Sequence, residues 1–259
     1  MRQKILAANW KMNKSVADVQ PYFDTFQKLA PKPSKQLDYV FALPYLFFDK
    51  ANQILKNMSY KLAAQNLHWE ASGAFTGEVS IPMLQDAQVT TTLVGHSERR
   101  QYFNETNDMV SKKIKACEKA DFRTILCVGE TIEIRNANKT GQIIEEQVAT
   151  ALKKVSSTFV KKNLVIAYEP VWAIGTGVNA TPEQAQEAHQ YIRFLMQNLY
   201  GEDIAASLPI LYGGSLKPSN AKDLLTQTDI DGGLVGGASL LAEDFASLAK
   251  TLLETCDDK

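Results

Sequence analysis

Short apolar runs alternate with longer amphipathic stretches along the chain. Residues 5–8, 39–43, 62–64, 92–94, 124–128, 164–168, 210–212 and 234–235 form eight compact apolar segments, each too short for a helix and suited to a buried strand. Between them the pattern turns helical. Thr181 can cap a helix with Gln184 three residues on and Pro182 in its first turn, and Ala185, Ala188, Ile192, Leu195 and Leu199 follow one face. Val110, Ile114 and Cys117 recur at helical spacing before the fifth strand run, which predicts that Cys117 is a core residue, while Leu248, Leu252 and Leu253 close a last layer. Eight strands in 259 residues give about 32 residues per strand–helix unit, the size of one crossover, and the total matches a closed eightfold barrel. The expected architecture is α/β, a single (β/α)8 barrel domain over residues 1–259. No Pro/Gly/Ser-rich linker divides it, and no short repeat suggests a solenoid.

Composition narrows the function without naming it. The chain is 45% hydrophobic and 22% charged, close to globular averages, which argues against extended disorder. With 28 Lys and Arg against 29 Asp and Glu, no global field would gather nucleic acid or an anionic membrane, so an anionic ligand must be held by local groups. Cys117, Cys127 and Cys256 lack the spacing of a disulfide framework or a zinc site. A reducing, cytoplasmic location is expected, with neither a cleavable leader nor a membrane span.

The chemically capable residues stand where strands stop. Asn9 and Lys11 follow the first run, Gln65 and Asn66 the third, His96 the fourth and Glu169 the sixth. In a parallel barrel all strand carboxyl ends open on one face, so these groups can converge on one small molecule. Gly175 follows the sixth strand, Tyr212-Gly213-Gly214-Ser215 ends the seventh and Gly236-Gly237 follows the eighth. Backbone amides unobstructed by a Cβ can approach an oxyanion, and a helix start adds a favourable dipole. A phosphate cup is expected there.

Each residue also has a plainer reading. Lys11 can be a solvated cation, an imine-forming amine, or a fixed positive charge stabilising developing oxyanion charge; its place beside Asn9 favours the last. His189 falls inside the helix after Thr181 and His68 in a long loop, which leaves His96 as the candidate catalyst. A short helix starting behind His96 would keep its ring neutral. Glu169, followed at once by Pro170, can be a rim ion pair or a base. The segment 170–177, apolar in its middle and ending in glycines, suits a hinged cover and favours the base.

These motifs, Asn9-Trp10-Lys11-Met12-Asn13, Gly95-His96-Ser97-Glu98-Arg99-Arg100, the stretch 167–177, Tyr212-Gly213-Gly214-Ser215 and the stretch 234–240, resemble the triosephosphate isomerase family in order and essentially from end to end. The resemblance implies a TIM barrel that interconverts dihydroxyacetone phosphate and D-glyceraldehyde 3-phosphate through an enediolate, in glycolysis and gluconeogenesis. It implies Glu169 as base, His96 as carbonyl polariser, and Asn9 and Lys11 as electrostatic support. Gly175, Ser215, Gly236 and Gly237 would hold phosphate, and Ser97, Glu98 and Cys127 would support the reacting groups. No metal or organic cofactor is implied. A homodimer is, with Thr76 of the long segment 66–80 docking near the neighbour's Asn9 and Lys11. Asn136-Ala137-Asn138 and Leu241 depart from the commonest family pattern, away from the inferred reaction centre. An imine aldolase on Lys11 and a noncatalytic phosphometabolite-binding protein are the competing classes.

Overall fold

The computed structural model describes residues 2–174 and 179–257. Its centre is a closed ring of eight parallel strands in chain order: β1 (Lys4–Asn9), β2 (Leu37–Leu43), β3 (Lys61–Ala64), β4 (Thr91–Val94), β5 (Arg123–Val128), β6 (Leu164–Tyr168), β7 (Ile210–Tyr212) and β8 (Gly232–Val235). All eight expected runs are strands. The differences lie at their edges: Lys4 and Asn9 extend β1 at both ends, β2 starts two residues early at Leu37, Lys61, Thr91 and Arg123 each add one residue to β3, β4 and β5, and β8 starts two residues early at Gly232.

Both faces of these strands are buried, which is why they read as continuous apolar runs instead of alternating ones. Ile5, Ala7, Val40, Ala42 and nine-tenths-buried or better partners from the other strands fill the barrel interior. Leu6, Ala8, Tyr39, Phe41 and Leu43 point the other way and join the helices in a larger core. Aromatic rings fill the gap between β2 and helix Val16–Leu29, where Phe23 meets Phe41 edge-on at 4.9 Å.

The helix after Thr181 runs Pro182–Tyr200 with the expected reciprocal cap: Thr181 Oγ1 accepts the Gln184 N–H and the Gln184 side chain accepts the Thr181 N–H. Ala185, Ala188, Ile192 and Leu195 pack inward as expected, but Leu199 is 49% exposed. The inward stripe runs instead through Met196 to Tyr200, which is partly buried and whose hydroxyl donates to the Leu152 and Val155 carbonyls. Cys117 is buried, as its spacing predicts.

The first and last strands are joined through pairs such as Ile5 with Gly232 and Ala8 with Val235. At the amino-terminal end of the barrel Asp231 ties this seam. It accepts hydrogen bonds from Arg2 Nε at 2.7 Å, Arg193 Nη2 at 3.0 Å and the Ile210 N–H at 3.0 Å, while the Ile5 N–H donates to its carbonyl. Lys4 Nζ adds a bond to the Ile230 carbonyl. The reactive residues lie at the opposite end. Among the described residues, no helix is long and apolar enough to cross a membrane.

Candidate active site

At the end of β1, Trp10 is fully buried and anchors the chain, and Lys11 then takes a left-handed backbone with φ of 51°. That conformation is uncommon for a residue with a Cβ and persists only where neighbours enforce it. Asn9 Oδ1 accepts the Lys11 N–H at 3.1 Å, and Gln65 Nε2 donates to the Lys11 carbonyl at 3.0 Å. The side chain is thereby aimed across the barrel mouth, with Nζ 2.6 Å from a Glu98 carboxylate oxygen.

At the end of β4, Gly95 has φ of 77°. A side chain there would be strained and would crowd Arg100 Nη2 and the Cys127 carbonyl. Its backbone is fixed from both sides: the Gly95 N–H donates to Glu105 Oε1 at 3.0 Å, and its carbonyl accepts from Arg100 Nε at 2.7 Å. Glu105 is itself held by Arg99 and by buried Lys113, which also reaches Asn66. His96 follows as the cap of helix Ser97–Tyr102, its Nδ1 accepting the Glu98 N–H at 3.2 Å. A neutral ring therefore carries its proton on Nε2, which lies 3.0 Å from Glu169 Oε1 and 3.2 Å from Asn9 Nδ2.

At the end of β6, Glu169 is 2% exposed. Its Oε2 accepts the Ser97 N–H at 2.9 Å, and Ser97 Oγ donates to Oε1 at 3.3 Å. Room for the side chain depends on Gly213, where a Cβ would stand 2.9 Å from Glu169 Cγ.

Opposing influences act on this buried pair. Burial raises the Glu169 pKa, but His96, the Ser97 N–H and Lys11 outweigh it and hold the carboxyl below its ordinary value. Burial lowers the His96 pKa, yet Glu169 and then Glu98 hold it above its ordinary value. The helix start expected to favour a neutral ring is present behind His96, and the two carboxylates facing the ring act against it. The larger share, from Glu169, lasts only while that carboxylate rests against His96.

Asn9, Lys11, His96, Glu169, Ser215, Gly236 and Gly237 line one cavity of about 290 Å³. That is near the lower end of the range for small-molecule sites. Gly237 faces open space and Gly236 abuts the Lys11 side chain. Gly175 and the far end of the expected cover lie outside the described residues. Cys127 is in the barrel interior, at the carboxyl end of β5, and its pKa is pushed up by burial. Thr76 is exposed on the 66–80 segment and does not line this cavity. A second cavity of about 410 Å³ shares Asn9, Lys11 and His96 and opens past Met12, Gln65 and Phe103.

Sequence reading missed Glu130. This 1%-exposed carboxylate accepts from Tyr168 Oη and Trp172 Nε1, both at 3.0 Å, and pairs with Arg135, so it ties the end of β6 to the start of the expected cover. Its position directly after the Val128-Gly129 strand end was the available signal. Glu105 and Lys113 gave none, because their role depends on a contact across the fold.

A model of the family described as triosephosphate isomerase matches residues 4–252. The triosephosphate isomerase of Chloroherpeton thalassium is 46% identical over 251 residues, spanning 97% of this chain and 99% of its own. That of Alkaliphilus oremlandii is 45% identical, spanning 96% and 99%, and that of Endomicrobium trichonymphae is 47% identical, spanning 96% and 99%. With the family model running nearly from end to end and relatives aligned over almost their full lengths, this chain belongs to the triosephosphate isomerase family.

Proposed function

We propose that the chain interconverts dihydroxyacetone phosphate and D-glyceraldehyde 3-phosphate in the cavity at the barrel mouth, as an aldose–ketose isomerase of glycolysis and gluconeogenesis. The observation that carries this reading is the 3.0 Å contact between Glu169 and His96 beside Asn9 and Lys11, with Ser215, Gly236 and Gly237 lining the same cavity. It supplies a base, a proton donor, a cation and an anion cup around a space of substrate size.

Glu169 takes the proton from the hydroxymethyl carbon of the ketose, leaving an enediolate. His96 gives its Nε2 proton to the oxygen on the neighbouring carbon and recovers a proton from the other oxygen. Glu169 then returns its proton to the neighbouring carbon, which yields the aldehyde, and the steps run equally in reverse. Asn9 and Lys11 stabilise the developing oxyanion. To reach carbon, Glu169 must leave Ser97. That movement removes from His96 the carboxylate that raises its pKa most, which favours the Nε2–H neutral tautomer selected by the Glu98 N–H. Gly175, Ser215, Gly236 and Gly237 grip the phosphate through backbone amides, and closure of segment 170–177 excludes water that would divert the intermediate. Ser97, Glu98 and Cys127 support the reacting groups, and the chemistry needs no metal or organic cofactor.

The working form is read as a cytoplasmic homodimer of single-barrel chains, residues 1–259. Met12 is 96% exposed, Leu46, Phe75, Tyr102 and Phe103 are also exposed, and Met12 and Phe103 line the same cavity, so a second copy covering this mouth would take apolar surface out of water. Thr76 of one protomer would enter its neighbour's larger cavity near Asn9 and Lys11.

Exchange of the substrate's carbon-bound hydrogen with solvent deuterium tests the reaction. Glu169→Gln should slow exchange and turnover by at least about 100-fold, the lower range for losing a general base. Near-normal turnover in that variant would remove the mechanism. Borohydride trapping of substrate on Lys11 would favour the aldolase, and ligand binding without exchange would favour a binding protein.

A further inference from the structure

Charge is unevenly shared around the smaller cavity. Its ionisable lining side chains are Lys11, His96, Glu169 and Lys217. Lys11 is engaged by Glu98 at 2.6 Å, and His96 and Glu169 engage one another at 3.0 Å. Lys217 makes no ion pair among the described residues, and Glu169 is the sole carboxylate in the described lining. The cation without a local counter-charge is thus Lys217, two residues beyond Ser215 at the phosphate end.

Its backbone is held in place. Asn220 Oδ1 accepts the Lys217 N–H at 2.8 Å, Asn220 Nδ2 donates to the Ser215 carbonyl at 2.9 Å, and the Asn220 N–H donates to the Lys217 carbonyl at 3.1 Å. One side chain therefore clips both ends of the 215–217 segment. Leu216 between them is buried, packed so closely on β8 that a Cβ at Gly233 would lie 2.5 Å from it. Pro218 restricts Lys217 further, since a residue before proline is biased to an extended backbone. The exposed Lys217 is thus attached at a fixed point on the cavity wall.

We propose that Lys217 is a specificity-determining residue that draws phosphate monoester dianions to the cup and favours phosphorylated over unphosphorylated trioses. This rests on the isomerase reading of the site. Lys11, already neutralised by Glu98, adds little net attraction at a distance, whereas Lys217 contributes a full positive charge at the mouth. Such an exposed charge acts on encounter and is screened by salt over about 8 Å at physiological ionic strength.

The test compares wild type, Lys217→Gln and Lys217→Arg with glyceraldehyde 3-phosphate and with glyceraldehyde, from about 0.02 to 0.5 M ionic strength, a range across which screening becomes strong. In Lys217→Gln, kcat/KM for the phosphorylated triose should fall about three- to tenfold at low salt, through KM, with the gap closing as salt rises. Inhibition by inorganic phosphate should weaken in parallel, kcat/KM for glyceraldehyde should stay level, and Lys217→Arg should restore the wild-type pattern. Equal kinetics in wild type and Lys217→Gln at every salt would overturn the proposal. So would equal losses for both trioses, or failure of the arginine variant to rescue. A wild-type protein inactive on both trioses would instead defeat the isomerase reading, and phosphate binding by the three proteins would still decide the role of Lys217.

Discussion

Replacing Gly213 by alanine adds one methyl group at a point where two essential features meet. The new Cβ would stand 2.9 Å from Glu169 Cγ and 3.0 Å from the Tyr168 carbonyl oxygen. Carbon atoms in favourable contact are about 3.5–4.0 Å apart, so the Glu169 side chain or the 213–215 backbone must yield by about 0.6–1 Å. The Gly213 N–H already donates to that same Tyr168 carbonyl at 2.7 Å, which pins the backbone and directs the displacement toward Glu169. Overpacking of this kind costs about 1–3 kcal/mol of stability. A displacement approaching 1 Å at a catalytic group costs about 100-fold in rate. Gly213→Ala should therefore remain folded, with its urea midpoint lowered, and lose about 10- to 100-fold in kcat with a smaller change in KM. Steady-state isomerisation with a coupled dehydrogenase, run beside urea denaturation, measures both. A variant with kcat within twofold of wild type would refute the claim that this glycine makes room for the base.

The paired pKa shifts set a pH signature. His96 lies above its ordinary 6.5, so its stabilising contribution is complete below that pH and lost as pH rises through the raised value; Glu169 lies below 4.5, so its contribution is present above that pH and lost as pH falls through the lowered value. The stability gap between wild type and His96→Gln should hence be larger near pH 6 than at pH 9, and urea midpoints showing it widen with pH would contradict the pairing. At the exposed tip of the 66–80 segment, Thr76→Arg should shift sedimentation toward the monomer and reduce activity at dilute concentration. An unaltered sedimentation profile would argue against docking of this loop.

Strand positions were legible because the barrel buries both faces of every strand, which concentrates apolar residues into runs. Gly232 and Gly233 escaped because a strand made of glycine carries no hydrophobic signal. Close packing demands it: a Cβ on Gly232 would strike the Ile5 carbonyl and one on Gly233 would strike Leu216. At the site, Asn9, Lys11, His96 and Glu169 were legible from their places after strands. The left-handed backbone of Lys11, the Glu105–Lys113 support beneath Gly95 and the Asn220 clip were not, since each arises from partners brought together only by folding. The contact that sets the charge balance at His96 was hidden for the same reason, because Glu169 is distant in sequence.

The seam held by Asp231 is the last part of the ring that synthesis can close, because β8 must pair with β1. Until residues beyond 231 leave the ribosome, β1 has β2 on one flank and a row of unsatisfied peptide groups on the other, an edge able to recruit another nascent chain. Arg2 and Lys4, placed at the start of that edge, keep its first residues charged until Asp231 and Ile230 arrive to receive them. The same contacts that close the finished ring thus guard its open precursor.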